Sequence, residues 1–207
     1  HQRLLTKLED EAETIRATAI EALGELAATD AMTRLPIQTM LADHSNLVQQ
    51  AAIQALGSQV MTDVEIRQMI LKKLEHPDYH VRSAAIEALR QLVSSDEIVR
   101  QAFLNKLTDG SVAVRQIALT SLRGLVAHDP VIYQTVLTSI QAQNVTIRRA
   151  AIDALQGLVS SDATVYAAVV ERLNDGDRSV QQSAVNALRS RMSEKPMLRR
   201  LIEAKLN

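Results

Sequence analysis

The chain has 207 residues, a formal net charge of −1 at neutral pH and 46% hydrophobic residues; it has one Phe, three Tyr, and no Cys or Trp. A disulfide framework and thiolate chemistry are excluded, and no run approaches the roughly 18 uncharged apolar residues of a membrane span. Small aliphatic residues with so few strand-favouring aromatics point to closely packed helices, and the lack of Cys fits a reducing, cytoplasmic setting with no signal peptide at the start.

Charge is unevenly placed. Residues 1–103 carry 10 Lys/Arg and 15 Asp/Glu, whereas residues 104–207 carry 13 and 9. Drift in surface charge is the plain reading. A bipolar binding surface, or head-to-tail contact between copies, is the sharper one.

The phrase Val-Arg-x-x-Ala-Ile-x-Ala-Leu recurs with a fixed step of 33 residues, beginning at Ile15, Val48, Val81, Val114, Ile147 and Val180. A period of this length, unbroken by insertion or deletion, marks a solenoid. The expected organisation is one array over 1–207, in units of about 1–28, 29–61, 62–94, 95–127, 128–160 and 161–193, with a partial unit at 194–207.

In chain order, the first unit opens part-way through a helix, turns at Glu9–Thr14 and continues in a helix near 14–27. Asp30 then precedes a first helix near 31–42; a polar turn at Asp43–Asn46 leads to a second helix near 46–60. Asp63 starts the next pair, near 63–75 and 78–93, with a turn at His76–Asp78. Asp96 starts a pair near 96–108 and 111–127, turning at Thr108–Ser111. Asp129 and Pro130 start a pair near 130–141 and 144–159, turning at Gln141–Asn144. Asp162 starts the last complete pair, near 163–173 and 177–191, turning at Asn174–Asp177. A closing helix is expected near 195–206, with Pro196 at its start. An Asp just before a helix accepts from free N–H groups of the first turn, and proline is tolerated at a first helical position.

Two apolar stripes per unit explain why the pairs must stack. On the second helices the rows through Ala19 and Leu23 repeat as Ala52 and Leu56, and so on to Ala184 and Leu188. On the first helices the rows are Thr33, Ile66, Val99, Ile132, Val165, Leu198; then Ile37, Ile70, Phe103, Val136, Val169, Ile202; then Leu41, Leu74, Leu107, Ile140, Leu173, Leu206. Steps of four put these on one helical face. One pair alone cannot bury both stripes.

The string Leu-x-Asp-x-x-x-x-Val-Arg-x-x-Ala-Ile-x-x-Leu-x-x-Leu, seen at Leu107–Leu125 with Leu119 at the Ile place, resembles the HEAT repeat, particularly its short bacterial form. The ankyrin Thr-Pro-Leu-His turn and the tetratricopeptide Trp/Tyr/Pro pattern are missing. The resemblance covers the whole chain. It implies an all-α fold, a right-handed α-α superhelix of about six helix pairs plus a final helix. It also implies that the turn Asp and helix Arg form a ladder between neighbouring repeats: Asp10, Arg16, Asp43, Arg82, Asp109, Arg115, Arg148 and Asp175. His76 and Ala142 replace the Asp, and Gln49 and Gln181 replace the Arg, so the ladder is expected to weaken around the second, third, fifth and sixth units.

In HEAT-like arrays the exposed side of the second helices lines a concave groove. Here its rows are Ala17, Gln50, Ser83, Gln116, Arg149, Gln182; then Glu21, Gln54, Glu87, Thr120, Asp153, Asn186; then Gly24, Gly57, Arg90, Arg123, Gln156, Arg189. Glu13, Asn46, Tyr79, Val112, Val145 and Arg178 stand at its mouth. Core rows stay constant while these change at each step, leaving room for partner-specific contacts. The candidate partner-binding set is Tyr79, Ser83, Glu87, Arg90, Val112, Gln116, Thr120, Arg123, Val145, Arg149, Asp153 and Arg189.

Catalytic signals are lacking. Gly24, Gly57, Gly124 and Gly157 are isolated and read as sites of close helix packing, not a phosphate loop. His76 and His80 are separated by a proline and do not share a helical face as a metal pair would require. Ser94, Ser95, Ser160 and Ser161 read as loop and capping residues. The expectation is a non-enzymatic scaffold for an unidentified protein, without cofactor or metal, its oligomeric state open. Starting at His1 and stopping after a half unit, it reads as a fragment of a larger protein, such as the sensor arm of a signalling nucleotide-switch ATPase. The alternatives are a phycobilin lyase-like subunit, which short HEAT-like repeats also resemble, and a nucleic-acid-binding domain. The last is disfavoured because stacking aromatics are absent from the groove rows beside Arg123, Arg148, Arg149, Arg178 and Arg189.

Overall fold

The computed structural model describes residues 2–189. The closing helix expected near 195–206, with Pro196, Leu198, Ile202 and Leu206, lies outside them. The regular elements described are all helical. They cluster into two compact units, one up to Asn105 and one from Lys106 onward. The first holds α1 (Gln2–Thr6), α2 (Glu13–Ala27), α3 (Ala31–Met40), α4 (Asn46–Leu56), α5 (Val64–Lys73), α6 (Tyr79–Leu89) and all but the last residue of α7 (Glu97–Lys106). The second holds α8 (Val112–Leu122), α9 (Pro130–Ser139), α10 (Val145–Leu155), α11 (Ala163–Glu171) and α12 (Arg178–Leu188).

The helices start where capping chemistry places them. Asp30, Asp63, Asp96, Asp129 and Asp162 each accept two backbone N–H groups of the following turn, at 2.8–3.2 Å. Each such cap is worth about 1 kcal/mol. Pro130 fills the first position of α9. Asp78, Asn144 and Asp177 cap α6, α10 and α12 in the same way. Ser45 and Ser111 stand at the equivalent places without a side-chain cap bond.

Inside the first unit, α4 lies between α2 and α6, with α3 against α2 and α4, and α5 against α6. Inside the second, α10 lies between α8 and α12, with α9 against α10 and α11 against α12. Leu23, Leu56, Leu89, Leu122, Leu155 and Leu188 are wholly buried, as are Ile37, Ile70, Phe103, Val136 and Val169. Burying each such side chain contributes about 1.5–3 kcal/mol. Leu107 departs from its row by being only half-buried. Ile15 is 41% exposed although its counterparts Val48, Val81, Val114 and Val180 are fully buried; no second helix precedes α2 in the described chain to cover it.

The second helices are not continuous to their expected ends. α4, α6, α8 and α10 each stop at the buried Leu and pass into a 3-10 turn, at Gly57–Met61, Arg90–Leu92, Arg123–Leu125 and Gln156–Leu158. Leu56, Leu89, Leu122 and Leu155 carry ψ of −4°, −8°, −9° and −9°. That tightening is common at helix C-termini. It still brings Val60, Val93, Val126 and Val159, four residues further on, into the core. α2 runs unbroken to Ala27.

Candidate functional site

The turn residues make a two-part device. Arg16 Nη1 donates to the carbonyl oxygens of Asp10 (2.8 Å) and Glu11 (3.0 Å) in its own repeat. Its Nε and Nη2 donate to the two carboxylate oxygens of Asp43 in the next repeat, both at 2.9 Å. Asp43 Oδ1 also accepts the Ser45 N–H at 2.8 Å, which shapes the turn that enters α4. Burial pushes the Asp43 carboxyl up, but the Arg16 guanidinium and the Ser45 N–H outweigh it and hold it below the ordinary value. Hydrogen bonding to Asp43 raises Arg16 in return.

Arg148 repeats this in the second unit. It donates to the carbonyls of Ala142 (2.9 Å) and Gln143 (2.8 Å), and to Asp175 through Nε (2.9 Å) and Nη2 (2.7 Å). Burial likewise pushes Asp175 up, and Arg148, the Asp177 N–H and Arg172 together bring it below its usual value. Arg82 donates to the carbonyls of His76 and Pro77, and Arg115 to those of Asp109 and Gly110. Asp109 accepts the Ser111 N–H, and Asp10 the Ala12 N–H. Where Gln replaces Arg, the local half is kept. Gln49 Nε2 donates to the Asp43 carbonyl (2.7 Å) and Gln181 Nε2 to that of Asp175 (2.6 Å). The next repeat has His76 at the place of the turn Asp, and Gln49 accepts from its Lys73 Nζ at 2.8 Å. Ala142 offers Arg115 no carboxylate.

A second set of links between repeats lies on the first helices and was not read from the sequence. Arg67 on α5 reaches Asp96, the cap of α7, at 3.2 Å. Tyr133 on α9 donates its hydroxyl to Asp162, the cap of α11, at 2.8 Å. Burial, then the Asp162 contact, raises the Tyr133 hydroxyl; the Val165 N–H, then Tyr133, lower Asp162. The signal was present as the row Arg34, Arg67, Arg100, Tyr133, Tyr166 at the 33-residue step.

The expected binding rows are distributed over both units. In the first, Glu21, Gln54, Glu87 and Arg90 are exposed, and Gln50 and Ser83 are half-buried. Ser83 Oγ has no hydrogen-bond partner. Glu87 and Arg90 pair with each other at 3.6 Å, and Asn46 is bonded to Asp78. Tyr79 is 42% exposed and stacks on His80. Ala17 is a correction: it is 4% exposed, covered where α2 lies against α4. The glycines also need correcting. A Cβ at Gly24 or Gly57 would meet the Cβ of Ala55 at 3.5 Å or of Ala88 at 3.7 Å, whereas Gly124 and Gly157 face open space. Those two stand one register position later and do not mark close packing.

In the second unit, Gln116, Thr120 and Arg123 (α8 and its 3-10 turn), Arg149, Asp153 and Gln156 (α10 and its turn), and Gln182, Asn186 and Arg189 (α12 and its end) are exposed. Val112 and Val145 are half-buried. Arg123, Gln156, Gly157, Ser160, Asn186, Ala187 and Arg189 line an open depression of about 790 Å³. His76 and His80 are occupied elsewhere: His76 Nδ1 accepts the Asp78 N–H, and His80 lies against Tyr79. Among the described residues no group of three or more His, Asp or Glu is placed to hold a metal ion. No described helix is long and apolar enough to cross a membrane.

The family profile for HEAT repeats matches three overlapping stretches, residues 2–66, 35–123 and 100–189. The chain belongs to the HEAT-repeat family. Its all-α repeat fold is the HEAT/armadillo scaffold fold, as the solved structures it resembles also show. A designed armadillo repeat protein in complex with the peptide (KR)4 is 15% identical, with a TM-score of 0.59 over 90% of this chain and 97% of that one. The complex of CpcE and CpcF of phycocyanin lyase from Nostoc sp. PCC7120 is 19% identical, with a TM-score of 0.59 over 90% of this chain and 75% of that one. Importin beta is 20% identical, with a TM-score of 0.63 over 93% of this chain but only 30% of its own. A search of the curated proteins returns no match.

Proposed function

We propose that this HEAT-repeat chain is a non-catalytic scaffold that holds a protein partner on the exposed side of its second helices. One contrast carries the reading. The recurring polar residues of the turns are engaged inside the protein, as in Arg16–Asp43 and Arg148–Asp175. The changing residues Gln116, Thr120, Arg123, Arg149, Asp153, Gln156 and Arg189 are exposed. Packing does not dictate these identities, and Arg is favoured at protein interfaces. The designed armadillo protein of similar fold is described in complex with a peptide, which supports binding on such a scaffold. Repeat surfaces recognise partners through many modest contacts rather than one deep pocket.

Site-specific photo-crosslinking tests this. A benzophenone side chain is placed at Gln116 or Thr120 on α8, or at Gln134 on α9, in the full chain in its native cells. Crosslinks to the same protein from Gln116 and Thr120, and none from Gln134, are expected. Crosslinks arising equally from Gln134, or from no second-helix site, overturn the reading.

A further inference from the structure

We infer that the exposed face of α8, α10 and α12 receives an acidic protein segment, an extended stretch of Asp and Glu carboxylates. This assignment rests on the binding-face reading above and gives its partner a chemistry.

The charge on this face is lopsided and unspent. Arg123, Arg149, Arg178 and Arg189 are exposed, and among the described residues none of them has an ion-pair or hydrogen-bond partner. Arg172 and Arg148 nearby in sequence are committed to Asp175. The one carboxylate in these rows is Asp153. It stands four residues after Arg149, the less favourable order for a helical ion pair, and no pair joins them. The first unit differs at the equivalent positions. Its third row holds Gly24 and Gly57, and Arg90 is paired with Glu87.

The spacing suits an extended chain. Arg123, Gln156 and Arg189 occupy one register position on three successive second helices. Packed helices lie roughly 10 Å apart, so Arg123 and Arg189 are separated by about 20 Å, or about six residues of extended chain. They line the same open depression. Guanidinium groups bind carboxylates through two parallel hydrogen bonds. The uncharged amides that line the depression with them, Gln156 and Asn186, can both donate to and accept from a peptide backbone. A nucleic acid fits less well. α8, α10 and α12 carry no aromatic side chain for base stacking.

Fluorescence anisotropy with the full chain tests the assignment. The probe is a labelled peptide of alternating Glu and Asp, matched in length to (KR)4; labelled (KR)4 and a mixed-sequence single-stranded oligonucleotide are run beside it. The acidic peptide should bind at low salt, weaken as salt rises, and lose about tenfold in affinity in Arg123→Gln/Arg189→Gln. Arg34→Gln, on α3, should leave it unchanged. Circular dichroism checks that the variants stay folded. No binding of the acidic peptide, binding indifferent to the double substitution, or tighter binding of the oligonucleotide overturns the proposal. A concentration-dependent mass increase that the double substitution abolishes also overturns it, because the occupant is then a second copy. If the acidic peptide fails while Gln116 and Thr120 still crosslink a protein, the acidic chemistry falls and the scaffold reading stands.

Discussion

Arg16 and Gln49 occupy the same place one repeat apart, and each donates a hydrogen bond to a backbone carbonyl of the turn that opens its helix, at 2.8 and 2.7 Å. Arg16 also reaches the next repeat through both oxygens of Asp43, whereas Gln49 meets it only as the acceptor of one hydrogen bond from Lys73 Nζ at 2.8 Å. The side chain at this position therefore has two separable jobs: fastening its own turn, and bridging to its neighbour. Gln is long enough for the first and lacks the fork and charge for the second. At position 49 the chain therefore keeps the staple and replaces the charged fork with a single bond from Lys73.

Separability is testable at Arg148. Arg148→Gln should keep the turn bond and lose the bridge, whereas Arg148→Ala loses both. Stranding one partner of a buried pair costs about 3 kcal/mol, softened here because Arg172 stands 3.6 Å from Asp175. Urea unfolding should rank wild type above Arg148→Gln, and Arg148→Gln above Arg148→Ala. In the Arg148→Gln background, Asp175→Asn should cost far less than it does in wild type. Equal losses for Gln and Ala would show that the turn bond contributes nothing.

The same bridges set a pH dependence. Asp43 and Asp175 are held below the ordinary carboxylate value in the folded chain. A depressed folded pKa adds stability that is fully present above the unfolded value, about 3.9, and is lost as pH falls below it toward the folded value. Thermal melts between neutral pH and pH 2 should therefore show stability falling below about pH 4. Asp43→Asn and Asp175→Asn should be less stable at neutral pH and have a flatter acid limb. Parallel curves for variant and wild type would remove the bridges as the cause.

The glycines make a quantitative case. Gly57 has helical backbone angles, φ −57° and ψ −34°, and no described glycine has positive φ. A Cβ there would make an ordinary 3.7 Å contact with Ala88, and one at Gly124 would meet nothing. Gly57→Ala and Gly124→Ala should each stabilise by about 0.4–1 kcal/mol, mainly by restricting the unfolded chain. A fall in Tm for Gly57→Ala would mean that α4 and α6 need the closer approach after all.

What could be read from the sequence follows from what repeats. The Asp caps and buried Leu rows recur every 33 residues because each repeat solves one packing problem in one way, so helix positions and the family were legible. The 3-10 turns after Leu56, Leu89, Leu122 and Leu155 were not, because apolar residues at steps of three and four suit either helix type. Tyr133–Asp162 was missed for a different reason. Its row recurs at the 33-residue step, but the contact joins adjacent repeats, and the period gives no measure of how closely their helix pairs approach. Gly124 and Gly157 stand one position beyond the register of Gly24 and Gly57, and the close packing expected there is not found. On the exposed face, Ala17 departs because α2 and α4 lie close enough to cover it, while Arg123, Arg149, Asp153, Arg178 and Arg189 are exposed.

The division between core rows and exposed rows can be tested within two residues of α8. Leu122 is wholly buried and belongs to a row that is Leu in every repeat. Leu122→Ala removes its buried side chain and leaves a cavity, at a cost of about 2–5 kcal/mol. Thr120 is exposed, and its hydroxyl bonds only back to the Gln116 and Ile117 carbonyls of its own helix, each at 3.0 Å. Thr120→Ala should change stability by no more than about 0.5 kcal/mol, because nothing packs on it and Ala favours the helix. A large loss at Thr120 would show that this face is packed rather than available. A negligible loss at Leu122 would show that the repeat-constant Leu row does not carry the stability of the stacked pairs. Urea unfolding of the two single variants separates these outcomes without knowledge of any partner.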